Sequence, residues 1–193
     1  MKNSRTAEEE PMPSQILLHC CCAPCSSAIL EWMQGHGVLP IIFYSNPNIY
    51  PAEEYQIRKN EITRYAKELN LEIIEDDYDH ETWLNEVKGL EQEPERGNRC
   101  LQCFKLRMLR SAKKAVELGL PEFTTTLASS RWKSLDQINA AGRWAAEQVG
   151  GKVKFNEKNW RKGGLQERRN QLLKEIGFYN QLYCGCEFSM RKE

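Results

Sequence analysis

The sequence concentrates reactive side chains between residues 20 and 25, where Cys20, Cys21, Cys22 and Cys25 provide four of its eight cysteines. A cysteine thiolate binds metals and attacks disulfides, and N–H groups at the start of a helix favour this ionised form. Cysteine can also serve as a small buried apolar residue, which suits Cys20 at the end of an apolar run. A packing role gives no reason to group all four, so the spacing predicts metal binding or redox chemistry.

The other four cysteines form two closely spaced pairs. Cys100 and Cys103 make a C-x-x-C motif at the start of a predicted helix, where two sulfurs can face one metal or each other. Cys184 and Cys186 make a C-x-C motif with glycine between them. The polar N-terminus does not read as a secretory signal, so we expect a reducing, cytoplasmic compartment. There, grouped cysteines more often bind metal or do redox chemistry than form structural disulfides.

Spacing alone leaves three kinds of thiol chemistry open. A structural zinc ion would use the pairs Cys22/Cys25 and Cys100/Cys103 as its four ligands. An iron–sulfur cluster needs about four thiolates and spreads its irons over a wider span, so that adjacent residues such as Cys21 and Cys22 can both bind it. Redox chemistry by thiols without metal is the third. Adjacent cysteines favour the cluster, because neighbouring side chains rarely reach one tetrahedral ion.

Short apolar runs alternate with amphipathic helical patterns along the chain, which is typical of an α/β fold. Strands are predicted over 16–18, 39–44, 71–74, 123–127 and 153–155. Helices are predicted over 24–32, 52–69, 80–89, 101–118, 135–149 and 165–176. We expect a parallel sheet with right-handed crossovers and helices on both faces. The loops after the first four strands would then gather at one edge of the sheet, where ligands bind in such folds.

Composition limits the classes of function. Lys plus Arg equals Asp plus Glu at 27 each, so net charge gives no argument for nucleic-acid binding, although it permits a local basic patch. No stretch approaches the ~18 consecutive apolar residues of a membrane span. We interpret residues 1–13 as a flexible tail. Residues 14–193 are interpreted as a single α/β metal-binding redox domain with a C-terminal helical and C-x-C extension.

Six segments together resemble one protein family. They are Leu18-His19-x-Cys21-Cys22-Ala23-Pro24-Cys25-Ser26, Tyr44-x-Asn46-Pro47-Asn48-Ile49, Glu54-Tyr55-x-x-Arg58, Glu93-Pro94-Glu95-Arg96-Gly97-x-Arg99-Cys100-x-x-Cys103, Lys158-Asn159-Trp160-Arg161-Lys162-x-Gly164 and Tyr183-Cys184-Gly185-Cys186-x-x-Ser189. With them, nearly the whole chain from Leu17 resembles the cobalamin-independent, QueH-type epoxyqueuosine reductases. The resemblance implies a fold like the adenine-nucleotide α-hydrolases (the HUP fold) and a [4Fe–4S] cluster. It also implies reduction of epoxyqueuosine to queuosine at the wobble position of a tRNA, the last step of queuosine biosynthesis.

A second similarity indicates which cysteines bind the cluster. Assimilatory sulfonucleotide reductases share a related fold and hold a cluster with a Cys-Cys pair and a distant C-x-x-C, which Cys21-Cys22 and Cys100/Cys103 resemble. These four cysteines are therefore the expected ligands. Cys25 could bind the cluster or an additional iron instead, because seven thiols exceed what one cluster needs. The chain lacks the Ser-Gly-Gly-x-Asp-Ser phosphate loop of ATP pyrophosphatases, which argues against nucleotide hydrolysis.

The implied reaction removes an epoxide oxygen with two electrons and two protons. A single [4Fe–4S] cluster ordinarily passes one electron at a time. We therefore expect Cys184 and Cys186 to supply the rest as a dithiol that becomes a disulfide and is reset by exchange with an electron donor. Cys25 is a further catalytic candidate. Asp79 follows the third predicted strand and His19 precedes the cysteine turn. Either could donate a proton, although solvated or structural roles are common for such residues.

Recognition of tRNA is expected from aromatic rings next to cationic side chains, because unstacked bases of an anticodon loop bind by stacking and by Arg or Lys contacts. The candidates are Arg131, Trp132, Lys133, Trp160, Arg161 and Lys162, with Tyr44, Asn46 and Asn48 as contacts to the modified base. The same pattern also fits an exposed amphipathic face whose tryptophan lies in the core. Asn-Pro turns likewise occur for structural reasons alone.

Two other functions compete with the reductase. A zinc-stabilised RNA-binding domain would use the same thiols and the same basic patch, but it would be colourless and stable in air. A sulfonucleotide-type reductase would act on a small molecule. It would need a phosphate-binding loop, which the sequence does not contain.

Overall fold

The computed structural model describes residues 11–190 and places five parallel strands in one sheet with the order β3-β2-β1-β4-β5. The strands are β1 (Gln15–His19), β2 (Leu39–Tyr44), β3 (Ile73–Glu75), β4 (Glu122–Thr125) and β5 (Lys154–Phe155). Each overlaps its predicted strand, and the predicted α/β class is confirmed. The predicted tail falls largely outside the described residues, and Met12 within it packs against the core.

The central strand β1 lies between β2 and β4. Leu18 pairs with Ile42 on one side and with Thr124 on the other. Leu17 and Leu18 are both completely buried, because helices cover both faces of the sheet. Burial on both faces explains why the strand is a continuous apolar run in the sequence. The carboxyl end of β1 therefore delivers the cysteine turn to the middle of the sheet edge.

Six α-helices occur in residues 11–190, and none has the length and apolar composition that a membrane crossing requires. They are α1 (Ala23–Gly35), α2 (Ala52–Glu68), α3 (His80–Glu86), α4 (Asn98–Glu117), α5 (Leu135–Gln148) and α6 (Leu165–Ile176). Right-handed crossovers between β1, β2 and β3 place α1 and α2 on one face, where α6 packs on α1. Helices α4 and α5 pack together on the other face.

Helix α1 begins directly after the adjacent cysteines. Pro24 suits its first turn, because the fixed φ of proline fits a helix start and its missing N–H would be unpaired there. Cys22, immediately before the helix, is extended with a φ of −170°. Cys21 and Cys22 therefore stay outside the helix, while Cys25 lies in its first turn.

The fourth strand is shorter than predicted. The backbone N–H of Leu127 donates to Thr125 Oγ1 at 3.1 Å. This bond bends the chain into a 3₁₀ turn, Thr126–Ser129, where the sequence predicts a continued strand. The turn brings the Thr126 side chain to the cysteine turn after β1, and its Oγ1 accepts a hydrogen bond from Cys21 N at 3.2 Å.

Helix α4 starts earlier than predicted. The Glu93 carboxylate accepts a hydrogen bond from the backbone N–H of Asn98 at 3.0 Å. It satisfies one of the N–H groups that a helix N-terminus leaves without a partner in the helix. The earlier start places both Cys100 and Cys103 on the first turns of the helix.

Candidate metal centre

Three cysteine sulfurs lie together at the carboxyl end of β1. The Sγ atoms of Cys21, Cys22 and Cys25 are all within 4.8 Å of one another, and the first two are 3.8 Å apart. Thr126 donates its hydroxyl to Cys21 Sγ at 3.4 Å, and Gln181 Nε2 donates to Cys22 Sγ at 3.3 Å. All three thiols are free, so the group can hold a metal ion.

These three thiols differ in pKa. Hydrogen bonds from Cys22 and Cys25 hold the pKa of the Cys21 thiol well below its ordinary value. Donating to Cys21 raises the pKa of Cys22 and raises that of Cys25 to about 11, and burial acts in the same direction. Cys21 is therefore the first of the three to ionise and the first ready to bind a metal.

The C-x-x-C pair forms a second group on α4. The backbone N–H of Arg96 donates to Cys100 Sγ at 3.3 Å, and Arg107 Nη1 donates to Cys103 Sγ at 3.8 Å. Burial raises the pKa of both thiols. Cys103 also belongs to a small apolar cluster, whose other buried members are Trp83, Val87 and Cys186.

The C-x-C segment is fixed through three consecutive backbone carbonyls. Arg58 donates from Nη2 to Tyr183 O at 3.2 Å and from Nη1 to Cys184 O at 2.9 Å. The backbone N–H of Tyr50 donates to Gly185 O at 2.8 Å. Gly185 has a φ of 144°, and a Cβ there would lie 3.3 Å from Arg58 Nη1. Glycine therefore suits both the backbone angle and the close approach of Arg58.

Two small hollows connect the three groups of cysteines. The outer hollow is lined chiefly by Arg96, Arg99, Cys100, Trp132, Lys133, Cys184 and Cys186. The inner hollow is lined chiefly by Cys21, Asn46, Asn48, Arg107, Lys133, Gln181 and Cys184. Cys184 and Lys133 line both hollows. The fold thus places Cys100 in one hollow with Cys184 and Cys186, and Cys184 in the other with Cys21, whereas Cys103 lines neither hollow.

Arg107 and Lys133 bring positive charge into this site. Arg107 is only 2% exposed, its Nη2 donates to Asn46 Oδ1 at 2.6 Å, and its Nε has no partner within residues 11–190. Burial opposes the charge of Lys133, but Cys184 and Cys21 in their ionised form outweigh this effect and raise the pKa of this lysine. Neither cation pairs with a described carboxylate, so the Cys21 thiol, whose pKa is lowered, or a bound anionic group is left to balance them.

The geometry around His19 supports a structural role. His19 is completely buried; its Nε2 donates to Ser45 O at 2.9 Å, and its Nδ1 accepts from Thr125 Oγ1 at 2.8 Å. We assign the proton to Nε2 because a carbonyl can only accept. Burial lowers the pKa of His19 to about 3. Its single ring N–H is therefore already bonded to Ser45 O, which argues against a role of His19 as a proton donor.

Asp79 caps helix α3 and lines neither hollow. Its carboxylate accepts hydrogen bonds from the hydroxyl of Thr82 and from the backbone N–H of Thr82, the latter at 3.0 Å. These bonds lower the pKa of Asp79, and Arg110 at 3.7 Å acts in the same direction. The helix-capping bonds argue against proton donation by Asp79, whose catalytic role stays a prediction.

The side chains of Tyr44 and Asn46 are buried and are hydrogen-bonded to the backbone around the site. Tyr44 donates its hydroxyl to Tyr55 O at 3.3 Å, and Asn46 Nδ2 donates to Cys20 O at 2.9 Å. Burial and the bond to Tyr55 O argue against a contact between Tyr44 and a base, whereas Asn46, although bonded, lines the inner hollow. Their role as contacts to a base stays a prediction. Asn48 is buried too, but its Oδ1 has no partner within residues 11–190 and the residue lines the inner hollow. Asn48 stays a candidate contact.

The first predicted RNA-binding loop is largely at the surface. Trp132 is 83% exposed, Arg131 is exposed, and Lys133 is half-buried beside the hollows. Arg161 Nη2 donates to Lys133 O at 2.8 Å, so part of its guanidinium already holds this loop. Lys162 is exposed.

Trp160 lies in the core. It is completely buried and meets Trp32 edge-to-face with ring centroids 5.5 Å apart. Lys158 Nζ lies 5.7 Å from its ring centroid. The prediction that Trp160 stacks on a base is wrong, because its ring does not reach the surface.

Several arginines that hold the site were not identified from the sequence. Arg58 lies four residues after Glu54, and Arg107 lies four residues after Cys103. Residues four apart share one face of a helix, so this spacing was an available signal. Arg96 stands within a motif that carries the family resemblance, but its contacts lie far away in sequence and spacing does not reveal them.

A further cleft in the described part of the chain lies away from the cysteines. Its volume is about 650 Å³, and its lining includes Trp32, His36, Asn156 and Lys158. No cysteine lines it. The metal binding or redox chemistry that the cysteines predict is therefore located at the two smaller hollows.

The fold and the site define a class, that of α/β proteins with an all-parallel sheet and grouped cysteines at its carboxyl edge that can bind metal. A family model described as epoxyqueuosine reductase QueH matches residues 16–192. The chain belongs to the QueH family of epoxyqueuosine reductases and is an oxidoreductase. This membership favours the reductase over both competing functions.

Similar proteins named epoxyqueuosine reductase QueH occur in several bacteria. The protein of Histophilus somni is 44% identical over 196 residues, covering 98% of this chain and 80% of the relative. That of Haemophilus influenzae is 44% identical over 178 residues, covering 92% and 72%. That of Acinetobacter baylyi is 44% identical over 177 residues, covering 92% and 81%. The similarity therefore spans nearly the whole chain.

The buried, neutral His19 should make stability depend on pH. Between its folded pKa of about 3 and the ordinary value of 6.5, the unfolded chain binds more protons at this residue. Stability therefore falls as pH decreases through this range, by up to ~1.4 kcal/mol per pH unit. His19→Gln can keep the bond to Ser45 O and should remove this slope.

Urea unfolding of the reduced, chelated protein between pH 7 and pH 5 measures the effect. The control is His36→Gln, which alters an exposed histidine and should retain the slope of the wild type. Equal slopes for His19→Gln and the wild type would contradict the assignment.

Proposed function

We infer that this chain reduces epoxyqueuosine to queuosine at the wobble position of a tRNA, as the last step of queuosine biosynthesis. The name of its relatives supports this substrate. The reaction breaks both C–O bonds of the epoxide, leaves a C=C double bond and releases the oxygen as water. Two thiols that form one disulfide provide the required two electrons and two protons. The observation that carries the proposal is the meeting of three cysteine groups around Cys184.

A [4Fe–4S] cluster is the proposed cofactor, with Cys21, Cys22, Cys100 and Cys103 as its ligands. When bound, such a cluster supplies single electrons. The buried Arg107 and the half-buried Lys133, neither paired with a described carboxylate, support an anionic group beside these thiols. Cys25 lies within 4.8 Å of the first two sulfurs, so it is the alternative ligand, or the ligand of an additional iron.

Cys184 and Cys186 are the proposed redox pair. Cys184 is exposed and lines both hollows, whereas Cys186 is buried beside Cys103. Burial raises the pKa of the Cys186 thiol, which keeps its proton in place until the disulfide forms. An external electron donor would then reset the pair by exchange.

The anticodon loop of the tRNA is proposed to approach the outer hollow. Chemistry on a base requires that the nucleotide leave the stack, and the exposed ring of Trp132 offers a surface on which a base can stack. Arg131 and Lys162 are exposed, and Lys133 and Arg161 lie beside them. The cytoplasm is the proposed compartment, with no membrane contact.

Metal analysis should identify the cofactor. Protein purified without oxygen should contain about four irons and about four acid-labile sulfides per chain, and iron in excess of sulfide would support the additional iron. Cys100→Ser should lower both counts. The control Cys20→Ala should keep them, because Cys20 is buried beside Ser26 and lies outside the sulfur group. Stoichiometric zinc without sulfide after reconstitution would contradict the cluster.

The double variant Cys184→Ser/Cys186→Ser should retain iron and sulfide but lose repeated turnover of epoxyqueuosine-tRNA. We expect kcat to fall by about 100-fold or more, because serine cannot form the disulfide. Steady-state product formation by mass spectrometry of digested tRNA measures it. Repeated turnover at the wild-type rate would show that this pair is not the source of electrons.

The double variant Arg161→Ala/Lys162→Ala should bind tRNA more weakly. The slope of log Kd against log salt should become shallower by about 0.7 for each phosphate that the variant no longer binds. Filter binding at several salt concentrations measures both effects. The control Lys152→Ala/Lys174→Ala removes the same charge from two exposed lysines elsewhere on the chain. Equally weakened binding in the two variants would indicate a general effect of charge.

A further inference from the structure

Arg96 has an unusual backbone and an unassigned role. It belongs to the motif before Cys100, yet its φ is 67°, in the left-handed region that non-glycine residues rarely adopt. In this conformation its N–H donates to Cys100 Sγ at 3.3 Å. Its carbonyl accepts a hydrogen bond from Gln137 Nε2 at 2.8 Å. The backbone of Arg96 is thus tied both to a proposed cluster ligand and to helix α5.

The side chain of Arg96 holds the loop that carries Trp132. Its Nη2 donates to Arg131 O at 2.7 Å, and its Nε donates to Trp132 O at 2.9 Å. The next carbonyl, Lys133 O, accepts from Arg161 at 2.8 Å. Three consecutive carbonyls are therefore bound by two guanidinium groups, and the loop has little freedom to move.

The Trp132 ring itself is not held by packing. It is 83% exposed, although the residue lines the outer hollow together with Cys100 and Cys184. A large aromatic ring at such exposure costs solvation free energy, whereas a ring on a fixed loop at the mouth of the hollow can bind a planar group at a smaller ordering cost, because only its side-chain torsions remain to be fixed. An unstacked nucleobase is such a group.

The geometry points to Arg96 as a positioning residue that holds Trp132 ready to stack on an unstacked base of the tRNA. Arg96 acts through the loop carbonyls, and neither its charge nor a phosphate contact is required. The role of Trp132 rests on the proposed function. A lysine cannot replace Arg96, because one ammonium group does not reproduce the two donors that the planar guanidinium directs at neighbouring carbonyls.

The decisive variants separate the side chain of Arg96 from its backbone and from its charge. Arg96→Gly removes the guanidinium, but glycine adopts a φ of 67° readily, so the N–H to Cys100 should be retained. Arg96→Lys keeps the charge without the paired bonds. Trp132→Ala removes the ring, and Arg96→Gly/Trp132→Ala combines both changes. The control is Arg143→Lys, at an arginine whose guanidinium bonds the exposed carboxylate of Glu157.

The probe is tRNA carrying epoxyqueuosine, with Kd measured at several salt concentrations on protein of known metal content. Trp132→Ala should raise Kd by about tenfold or more. Arg96→Gly and Arg96→Lys should each raise Kd by roughly threefold to tenfold, with the salt slope unchanged. The double variant should bind no worse than Trp132→Ala, because Arg96 acts only through that ring. Arg143→Lys should bind as the wild type does.

A second readout does not use RNA. Amide hydrogen exchange of residues 130–133 should be faster in Arg96→Gly and in Arg96→Lys, but not in Arg143→Lys. Unchanged iron content in Arg96→Gly would show that the Cys100 contact is intact. Exchange at the wild-type rate in both Arg96 variants would overturn the positioning role.

Two binding outcomes would also overturn the inference. Wild-type affinity in Arg96→Lys with a shallower salt slope in Arg96→Gly would show a direct charge contact. Wild-type affinity in Trp132→Ala would show that the ring does not stack. Failure of the proposed function differs from both, since wild-type protein would then neither bind nor turn over epoxyqueuosine-tRNA, and the stacking role of Trp132 would fall with it.

Discussion

Hydrogen bonds from arginine guanidinium groups to backbone carbonyls hold the site together. Beside the cysteine turn after β1 and the C-x-x-C pair on α4, three parts of the site have little regular structure, namely the turn before α4, the loop that carries Trp132 and the C-x-C segment. Arg99 donates to Glu91 O at 2.9 Å in the first, Arg96 binds two carbonyls of the second, and Arg58 binds two of the third. One guanidinium can bind two neighbouring carbonyls in a fixed plane, so each segment is fixed without a helix or strand.

The cations of the site differ in whether a carboxylate neutralises their charge. Arg58 is buried but neutralised by Glu54, with Nη2 and Oε1 2.7 Å apart. Arg107 and Lys133 have no such partner among the described residues, and an isolated buried charge is costly. Negative charge near them must therefore come from Cys21, whose pKa is lowered, or from a bound anionic group. Cys21 would then serve two purposes, because it offers a metal ligand and can supply negative charge near Arg107 and Lys133.

Local patterns predicted the fold well and the site only in part. The apolar run of β1, with Pro24 after it, was enough to place the first cysteines at the sheet edge, because the crossover rule fixes which strand ends meet. Exposure was harder to predict. Trp132 and Trp160 both stand beside cationic residues in sequence, yet one ring is at the surface and the other is in the core. Only tertiary packing determines which of the two rings is exposed. Neither the neighbouring residues nor their spacing in the sequence indicates which side of a loop faces solvent.

The two thiols of the C-x-C motif differ in exposure although only one glycine separates them. Cys184 is exposed and lines both hollows, while Cys186 is buried, lines only the outer hollow and packs with Cys103 in the small apolar cluster. Under the proposed reaction this asymmetry sets an order of events. The accessible sulfur can meet substrate or an electron donor, and the buried one keeps its proton because burial raises its pKa. Gly185 suits this arrangement, because its φ of 144° strains other residues and a Cβ there would lie 3.1 Å from Asn48 and from Ile49 and 3.3 Å from Arg58.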